Sequence, residues 1–367
     1  MVEGWPRRRT GRDDRSVWHF VALIACAVAI YFSCEWFVNA VEWLGKRLDV
    51  GRIAVGTILA AFGTALPESV VTFVAVVFGH DTASKDIGIG AAMGGPLALS
   101  TVAYGVTGVM VLLVYRRVRA RSARVTAPVG GPVPGDAAPR PTRDNFGDLR
   151  KLARDQRWFL VIFVVKVGLG LVAFAVKPWL GLAFFAAYAV YFWREIRAGG
   201  GDDGDELDPL LLQRRRPVPA TWAVVAQTLG TLAIIFVASQ LFVRQLDAIG
   251  PMLGLPAAVT ALLLSPIATE LPEIMNAIIW VRQGKTPLAL ANISGAMMIQ
   301  ATVPSGLGLL FTPWLFDSAL LLSGIVTIAA IVFLLILLRT GRFTARTLAL
   351  SALFYLVFAI GLVPILS

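Results

Sequence analysis

Long apolar stretches alternate with short polar ones along this chain. Ten apolar stretches stand out, at about residues 17–43, 52–78, 87–114, 158–176, 178–193, 221–246, 256–281, 287–311, 315–338 and 347–366. A helix rises about 1.5 Å per residue, so about 20 apolar residues cross the hydrocarbon core of a bilayer. The pattern predicts an all-α polytopic membrane protein with about ten transmembrane helices. Several stretches exceed the crossing length, which predicts tilt or breaks. The polar stretches 116–157 and 198–220 lack apolar periodicity, and each is too short to bury a core of its own, so both are expected as solvated loops.

The pattern also repeats. A shift of 205 residues lays one half on the other without gaps from about residue 30 to 79, so that Gly45 meets Gly250, Glu42 meets Asp247 and Gly79 meets Gly284. Past the next loop the shift becomes 201, and Gly94 meets Gly295. Each half holds five stretches. An odd number makes the second half enter the membrane inverted relative to the first, the design of many secondary transporters, with the site near the midplane between repeats. The expected organisation is a short basic N-terminal segment (1–16), a first five-helix repeat (17–197) containing the 116–157 loop, a central loop (198–220) and a second five-helix repeat (221–367).

Composition agrees with a membrane protein. Of 367 residues, 57% are hydrophobic and 15% charged, and the mean hydropathy is +0.74. Soluble domains are about 45–50% apolar and about 25% charged, so a soluble enzyme is excluded. The net charge of +10 does not point to nucleic acid, because 24 of the 33 Lys and Arg fall in alternate loops and only eight on the other side. By the positive-inside rule the odd loops, including the central one, are expected in the cytoplasm and both termini outside, with the chain in the plasma (inner) membrane. Cys26 and Cys34 share one apolar stretch, so no disulfide framework is expected. His19 and His80 are isolated, and no zinc spacing exists.

The candidate chemistry lies where the two halves match best. Gly63-Thr64-Ala65-Leu66-Pro67-Glu68 and Ala268-Thr269-Glu270-Leu271-Pro272-Glu273 share Thr-x-Leu-Pro-Glu at one register inside apolar sequence. A carboxylate at the middle of a bilayer costs about 2.5–3.5 kcal/mol on insertion scales. Pro67 has no N–H to give the carbonyl of Gly63, nor Pro272 that of Ala268, nor Pro266 that of Leu262. A cation can satisfy such carbonyls. Thr64 and Glu68 are four residues apart and share a helix face, as do Thr269 and Glu273. Each phrase thus offers a carboxylate, a hydroxyl and a carbonyl on a broken helix, and two phrases supply the 6–8 hard oxygens that Ca²⁺ takes. Soft ligands are absent nearby, which argues against Cu(I) or Zn²⁺. Glu270 exists only in the second phrase, where it lines a cavity, stays protonated or joins the ion.

Downstream lie spans rich in small residues, Gly88 to Gly95 and Ala289 to Ala296, expected to pack helix 3 against helix 7 and helix 8 against helix 2. Asn292, Ser294 and Gln300 are their polar exceptions. Glu35, Asn39 and Glu42, matched by Gln240, Arg244 and Asp247, are expected in a cavity lining or at helix interfaces. Lys166 is expected to face water or a partner carboxylate.

The two phrases resemble the Gly-Thr-Ser-Leu-Pro-Glu motif of the sodium/calcium exchanger family, cation/Ca²⁺ antiporters with two inverted α-repeats. The matching stretches are about 45–102 and 250–306. The resemblance implies Glu68 and Glu273 as central Ca²⁺ ligands, assisted by Thr64, Thr269 and backbone carbonyls. Ala65 and Glu270 stand at the motif's serine. The family's second motif, Gly-Asn-x-x-Gly-Ser-Asn-x-x-Asn, keeps its glycines at Gly90 and Gly94 but loses its polar side chains through residue 99. In the second half Asn292 and Gly295 match, Ala296 replaces the serine and Gln300 takes the last polar place. In the family the serine and amide positions lost here help to hold Na⁺.

The expectation is therefore a secondary antiporter, not an enzyme, that exchanges Ca²⁺ for Na⁺, with Ca²⁺/H⁺ exchange on the same glutamates as the alternative and a passive channel or a non-transporting scaffold as distant ones. The metal-site set is Glu68, Glu273, Thr64, Thr269, Gly63, Ala268, Glu270 and Asn292. No Gly-x-x-x-x-Gly-Lys-Ser/Thr motif for ATP is present, so an ion gradient is expected to drive transport. No cofactor is expected, and the partners are the transported ions and the lipid bilayer. The sequence does not set the oligomeric state.

Overall fold

The computed structural model describes residues 10–49, 51–78, 82–125, 146–198, 207–254 and 263–366. For some helical residues, Glu68 and Asp247 among them, it describes the backbone alone. Ten helical segments follow one another among the described residues. α1 runs Thr10–Arg47. α2 occupies 52–78, with an α-helix over Ala61–Phe73 flanked by wider π turns at Val55–Ala60 and Val74–Phe78. α3 occupies 82–125, its halves Thr82–Ala98 and Tyr104–Val125 joined by a π turn. α4 is Leu149–Gly170, α5 Leu180–Ala198 and α6 Thr221–Met252. α7 is split into Ser265–Thr269 and Leu271–Arg282. α8 is Thr286–Phe311 and α9 Ser318–Arg339. α10 spans 345–366 in two pieces.

Val17–Arg47, Gly88–Val118, Thr221–Met252, Thr286–Phe311, Ser318–Arg339 and Ala345–Leu366 are each long and apolar enough to cross a bilayer. Large apolar side chains such as Trp18, Ile24, Val161, Trp222, Leu229 and Ile360 point outward, the surface a lipid environment covers. α8 is the core: nearly every residue from Thr286 to Leu309 is buried, packed by α2, α3, α4, α5 and α7, while α1 lies along α6. All of these pairings except that of α7 with α8 join the first half to the second.

Three expectations need correction. Helix 4 starts at Leu149, not 158, and ends at Gly170, not 176. Asp148 caps it, accepting from the backbone of Arg150 at 2.9 Å and Lys151 at 3.1 Å, and its charged first turns are neutralised from α5. Glu195 accepts from Lys151 and, at 3.4 Å, from Arg154. Leu152, Asp155, Gln156 and Phe159 form its buried face, a helical period that summed hydropathy hides. The 116–157 loop is therefore shorter at both ends, since α3 continues to Val125; its residues 126–145 lie outside the described residues.

The central loop is not wholly solvated either. Leu210 is completely buried against Ala40, Trp43, Ala223 and Val224, and Asn39 and Trp43 hold the segment by its backbone, Trp43 donating to the Asp208 carbonyl at 2.9 Å and Asn39 accepting from the Leu211 amide at 3.0 Å. The third correction is to Lys166. It is wholly buried, and its Nζ donates to the Ala92 carbonyl of α3 at 2.7 Å, 4.9 Å from the Phe163 ring centre, so it meets a peptide and an aromatic face rather than water or a carboxylate.

Candidate functional site

Glycines set how closely the two halves meet. A Cβ on Gly295 of α8 would lie 2.1 Å from the Thr57 carbonyl of α2, and one on Gly94 of α3 would lie 2.8 Å from the Pro266 ring of α7. These glycines are repeat-related, so the expected pairings of helix 8 with helix 2 and helix 3 with helix 7 are both present. Gly56 answers from α2, its hydrogen taking the place where a Cβ would strike Ala291 and the Leu288 carbonyl.

The two phrases differ in form. The first lies within an uninterrupted α-helix, Ala61–Phe73, with the irregularity displaced to the π turns on either side; a broken helix was expected there. The second breaks at Glu270, whose φ and ψ of −83° and 5° leave the helical range. The physical difference is the number of prolines. The first phrase has the single proline Pro67, whereas Pro266 and Pro272, six residues apart, remove two donors at the second.

Each expected site residue has a definite place. Thr64 is buried, its hydroxyl donating to the Ala60 carbonyl at 3.0 Å. Thr269 is half-buried and donates to the Pro266 carbonyl at 3.2 Å. Both hydroxyls keep lone pairs for a cation. Gly63 abuts Leu232 and Phe37, and Ala268 is buried at the break. Glu270 and Glu273 are wholly inaccessible to solvent. Gln300 of α8 donates to Glu270 Oε1 at 2.7 Å, across from Gly95, where a Cβ would lie 2.4 Å from Gln300 Oε1 and 2.7 Å from Glu270 Oε1. Glu270 therefore fills the space that a side chain at 95 would take. The Glu68 side chain lies outside the described residues. Among those described, no three His, Cys, Asp or Glu side chains converge.

Sequence reasoning missed Asn276. It is one turn beyond Glu273, completely buried, and neither of its amide atoms has a hydrogen-bond partner among the described residues; the same holds for Asn292 of α8. A buried polar group left unsatisfied costs about 1–3 kcal/mol. Its signal was available as an amide in an apolar helix next to the phrase, but the repeat obscured it, because position 71 of the first half is valine. Glu42 was placed correctly at an interface but without its partners. It receives Trp280 Nε1 at 2.9 Å and Lys285 Nζ at 2.9 and 2.6 Å, joining α1 to the turn between α7 and α8. A further polar cluster went unread. Gln156 donates to Tyr104 at 2.7 Å and Ser294 at 3.1 Å, and Thr57 donates to Glu195 at 3.1 Å.

Known proteins are similar to this chain. The family model described as sodium/calcium exchanger protein matches residues 18–196 and 223–363. The putative antiporter CaxA of Alkalimonas amylolytica is 22% identical over 86% of this chain and 88% of its own length. The inner membrane protein YrbG of Escherichia coli K12 is 24% identical over 79% of each chain. Structures of the sodium-calcium exchanger NCX_Mj superpose with a TM-score of 0.68 at 16% identity, covering 93% of this chain and 98% of theirs, which shows a common fold. With the family model matched across both five-helix halves, the chain belongs to the sodium/calcium exchanger protein family.

Proposed function

We propose that this member of the family is a secondary antiporter that exchanges Ca²⁺ for Na⁺ by alternating access at one midplane site. The observation that carries the reading is Glu273, wholly buried one residue beyond Pro272 on a broken helix. A carboxylate so placed in a membrane span marks an ion path. In this reading Glu68 and Glu273 are the central Ca²⁺ ligands, Thr64 and Thr269 add hydroxyl oxygens, Gly63 and Ala268 add carbonyls, and Glu270 and Asn292 stand at the rim. The family match supports Na⁺ as the driving ion. The lysine and arginine bias supports cytoplasmic odd loops, both termini outside and a plasma (inner) membrane location.

A second reading replaces Na⁺ with H⁺, and one observation favours it. Glu270, an extra carboxyl held by Gln300, occupies a place where the family motif has serine, and Gly95 replaces another motif serine beside it. A carboxyl carries a proton without further ligands.

Purified protein in sealed vesicles, loaded with ⁴⁵Ca²⁺ and challenged with an Na⁺ gradient and then a pH gradient, separates the two. Calcium movement driven by Na⁺ supports the first reading, and movement driven only by pH supports the second. Calcium movement needing no counter-ion marks a channel, and no movement under either gradient refutes antiport.

A further inference from the structure

We propose that Asn276 and Asn292 form a neutral carboxamide subsite, one helical turn from Glu273, that binds a partly dehydrated monovalent cation, with Na⁺ as the fitting ion. The inference rests on the Na⁺ reading above and extends it to residues that the family's motifs do not pair.

Two observations bring the amides into one site, their shared level and their bonding. Asn276 precedes the Gly284 turn by eight residues and Asn292 follows it by eight, and Gly284 sits at a φ of +77° that closes the hairpin of α7 and α8. The helices run antiparallel and pack on each other, and the Gln300–Glu270 hydrogen bond at 2.7 Å fixes their register. Each amide is six residues inside its helix, counted from Arg282 and from Thr286, so at about 1.5 Å per residue both stand about 9 Å from the turn, on one level, and Asn276 about 4.5 Å along the axis from Glu273. The second observation concerns their bonding. Both side chains are fully buried, and none of their four amide nitrogen and oxygen atoms has a hydrogen-bond partner among the described residues. Buried amides normally find partners within the protein, and an unpartnered one calls for a water or an ion. The two oxygens among these atoms, level with each other beside an acidic site, are acceptors held in reserve.

Their chemistry selects the ion. Neutral carboxamide oxygens suit a hard cation, and with no charge of their own they leave the divalent ion to the carboxylates, which Ca²⁺ prefers. Position 99, an amide in the family's second motif, is leucine here, and positions 95 and 296 lack the motif's serine. The Asn276–Asn292 pair restores polar oxygens on the other side of Glu273. Gly56 of α2 lets the two helices come close at this level, since a Cβ there would lie 2.9 Å from Ala291 Cβ and 3.4 Å from the backbone nitrogen of Asn292.

The test is Asn276→Val, which installs the residue found at the repeat-related position 71, in the full chain reconstituted in vesicles and in detergent. The apparent KM for Na⁺ in Na⁺-driven ⁴⁵Ca²⁺ efflux should rise tenfold or more, while that for Ca²⁺ in Ca²⁺/Ca²⁺ exchange rises less than threefold. In choline chloride the variant should unfold at the same temperature as the parent or higher, and replacing choline by Na⁺ should raise the parent's midpoint but not the variant's. An Na⁺ requirement changed less than twofold overturns the subsite. So does a variant that unfolds several degrees lower in choline yet keeps its Na⁺ shift, the mark of amides bridged by structural water. If the parent exchanges Ca²⁺ with no response to Na⁺ in flux or midpoint, the subsite is refuted and antiport stands. If the parent moves no Ca²⁺ at all, antiport falls, and the presence or loss of the Na⁺ midpoint shift alone decides the subsite.

Discussion

Gln300 reaches from α8 to Glu270 at the break in α7 and donates its amide to Oε1 at 2.7 Å, with both side chains wholly buried. This bond ties the irregular half of the site to the most buried helix of the fold. Replacing Gln300 by leucine removes a donor from a buried carboxyl, and a lost hydrogen bond of this kind costs about 1–3 kcal/mol. Thermal unfolding of Gln300→Leu, Glu270→Leu and the double variant should show a coupling of about 0.5–3 kcal/mol; additive effects would mean that the bond does not operate in the folded protein.

Gly95 makes the same point from α3. Its missing side chain is the space in which Gln300 and Glu270 meet, so Gly95→Ala forces both oxygens to move from within 2.7 Å of the new carbon. Ca²⁺ transport by this variant should fall at least tenfold while the protein still inserts and folds. Full transport by Gly95→Ala would show that the Glu270–Gln300 contact is irrelevant to the ion path.

Much of this architecture was legible in the sequence, for physical reasons that also mark where legibility stops. Membrane helices declare themselves because every residue facing lipid must be apolar, which is why the stretches at 221–246, 287–311 and 315–338 fall on α6, α8 and α9. The glycines at 94 and 295 were readable because close helix approach admits nothing larger. α4 began nine residues early because its charged first turns are satisfied by Glu195, a partner 41 residues or more away that no local window contains. Leu210 looked like a solvated loop residue for the same reason, since Ala40 and Val224 cover it. Asn276 was hidden by the assumption of symmetry. The two repeats share the Pro-Glu phrase but differ one turn beyond it, where one half has an amide and the other valine.

The pair formed by Glu42 and Lys285 gives a separate prediction about stability. Trp280 and Lys285 both donate to a carboxylate that is 8% exposed, and the lysine side chain is only 17% exposed. Taking one partner from a buried pair leaves a charge uncompensated and costs about 3–5 kcal/mol. Lys285→Met alone should therefore lower stability more than Lys285→Met combined with Glu42→Gln, in which no charge remains. Denaturant or thermal unfolding in one detergent measures both. A double variant no more stable than the worse single one would refute the pair as an electrostatic unit.

Helix approach can be tested at Gly295. A Cβ there would lie 2.1 Å from the Thr57 carbonyl and 2.7 Å from the Thr57 Cα, both backbone atoms, so no side-chain rotation relieves the contact and α8 must separate from α2. Overpacking costs about 1–3 kcal/mol, and here it also spreads helices that flank the candidate site. Gly295→Ala should lose both stability and transport, whereas alanine at Gly230, where a Cβ meets nothing within 4 Å, should leave both within experimental error.

The two glutamates of the second phrase make separable predictions for transport. If Glu273 supplies a central Ca²⁺ ligand, Glu273→Gln keeps the shape of the side chain but removes the charge that a divalent ion requires, and ⁴⁵Ca²⁺ exchange should fall at least a hundredfold under any gradient. Glu270 differs because its Oε1 already accepts from Gln300. Under Na⁺/Ca²⁺ exchange Glu270→Gln should keep Na⁺-driven flux within about threefold of the parent; under H⁺/Ca²⁺ exchange it removes a proton carrier, and pH-driven flux should collapse while Ca²⁺/Ca²⁺ exchange continues. Measuring all three fluxes on both variants assigns each carboxyl its role. Retention of full Ca²⁺ exchange by Glu273→Gln would remove the acidic phrase from the ion path altogether.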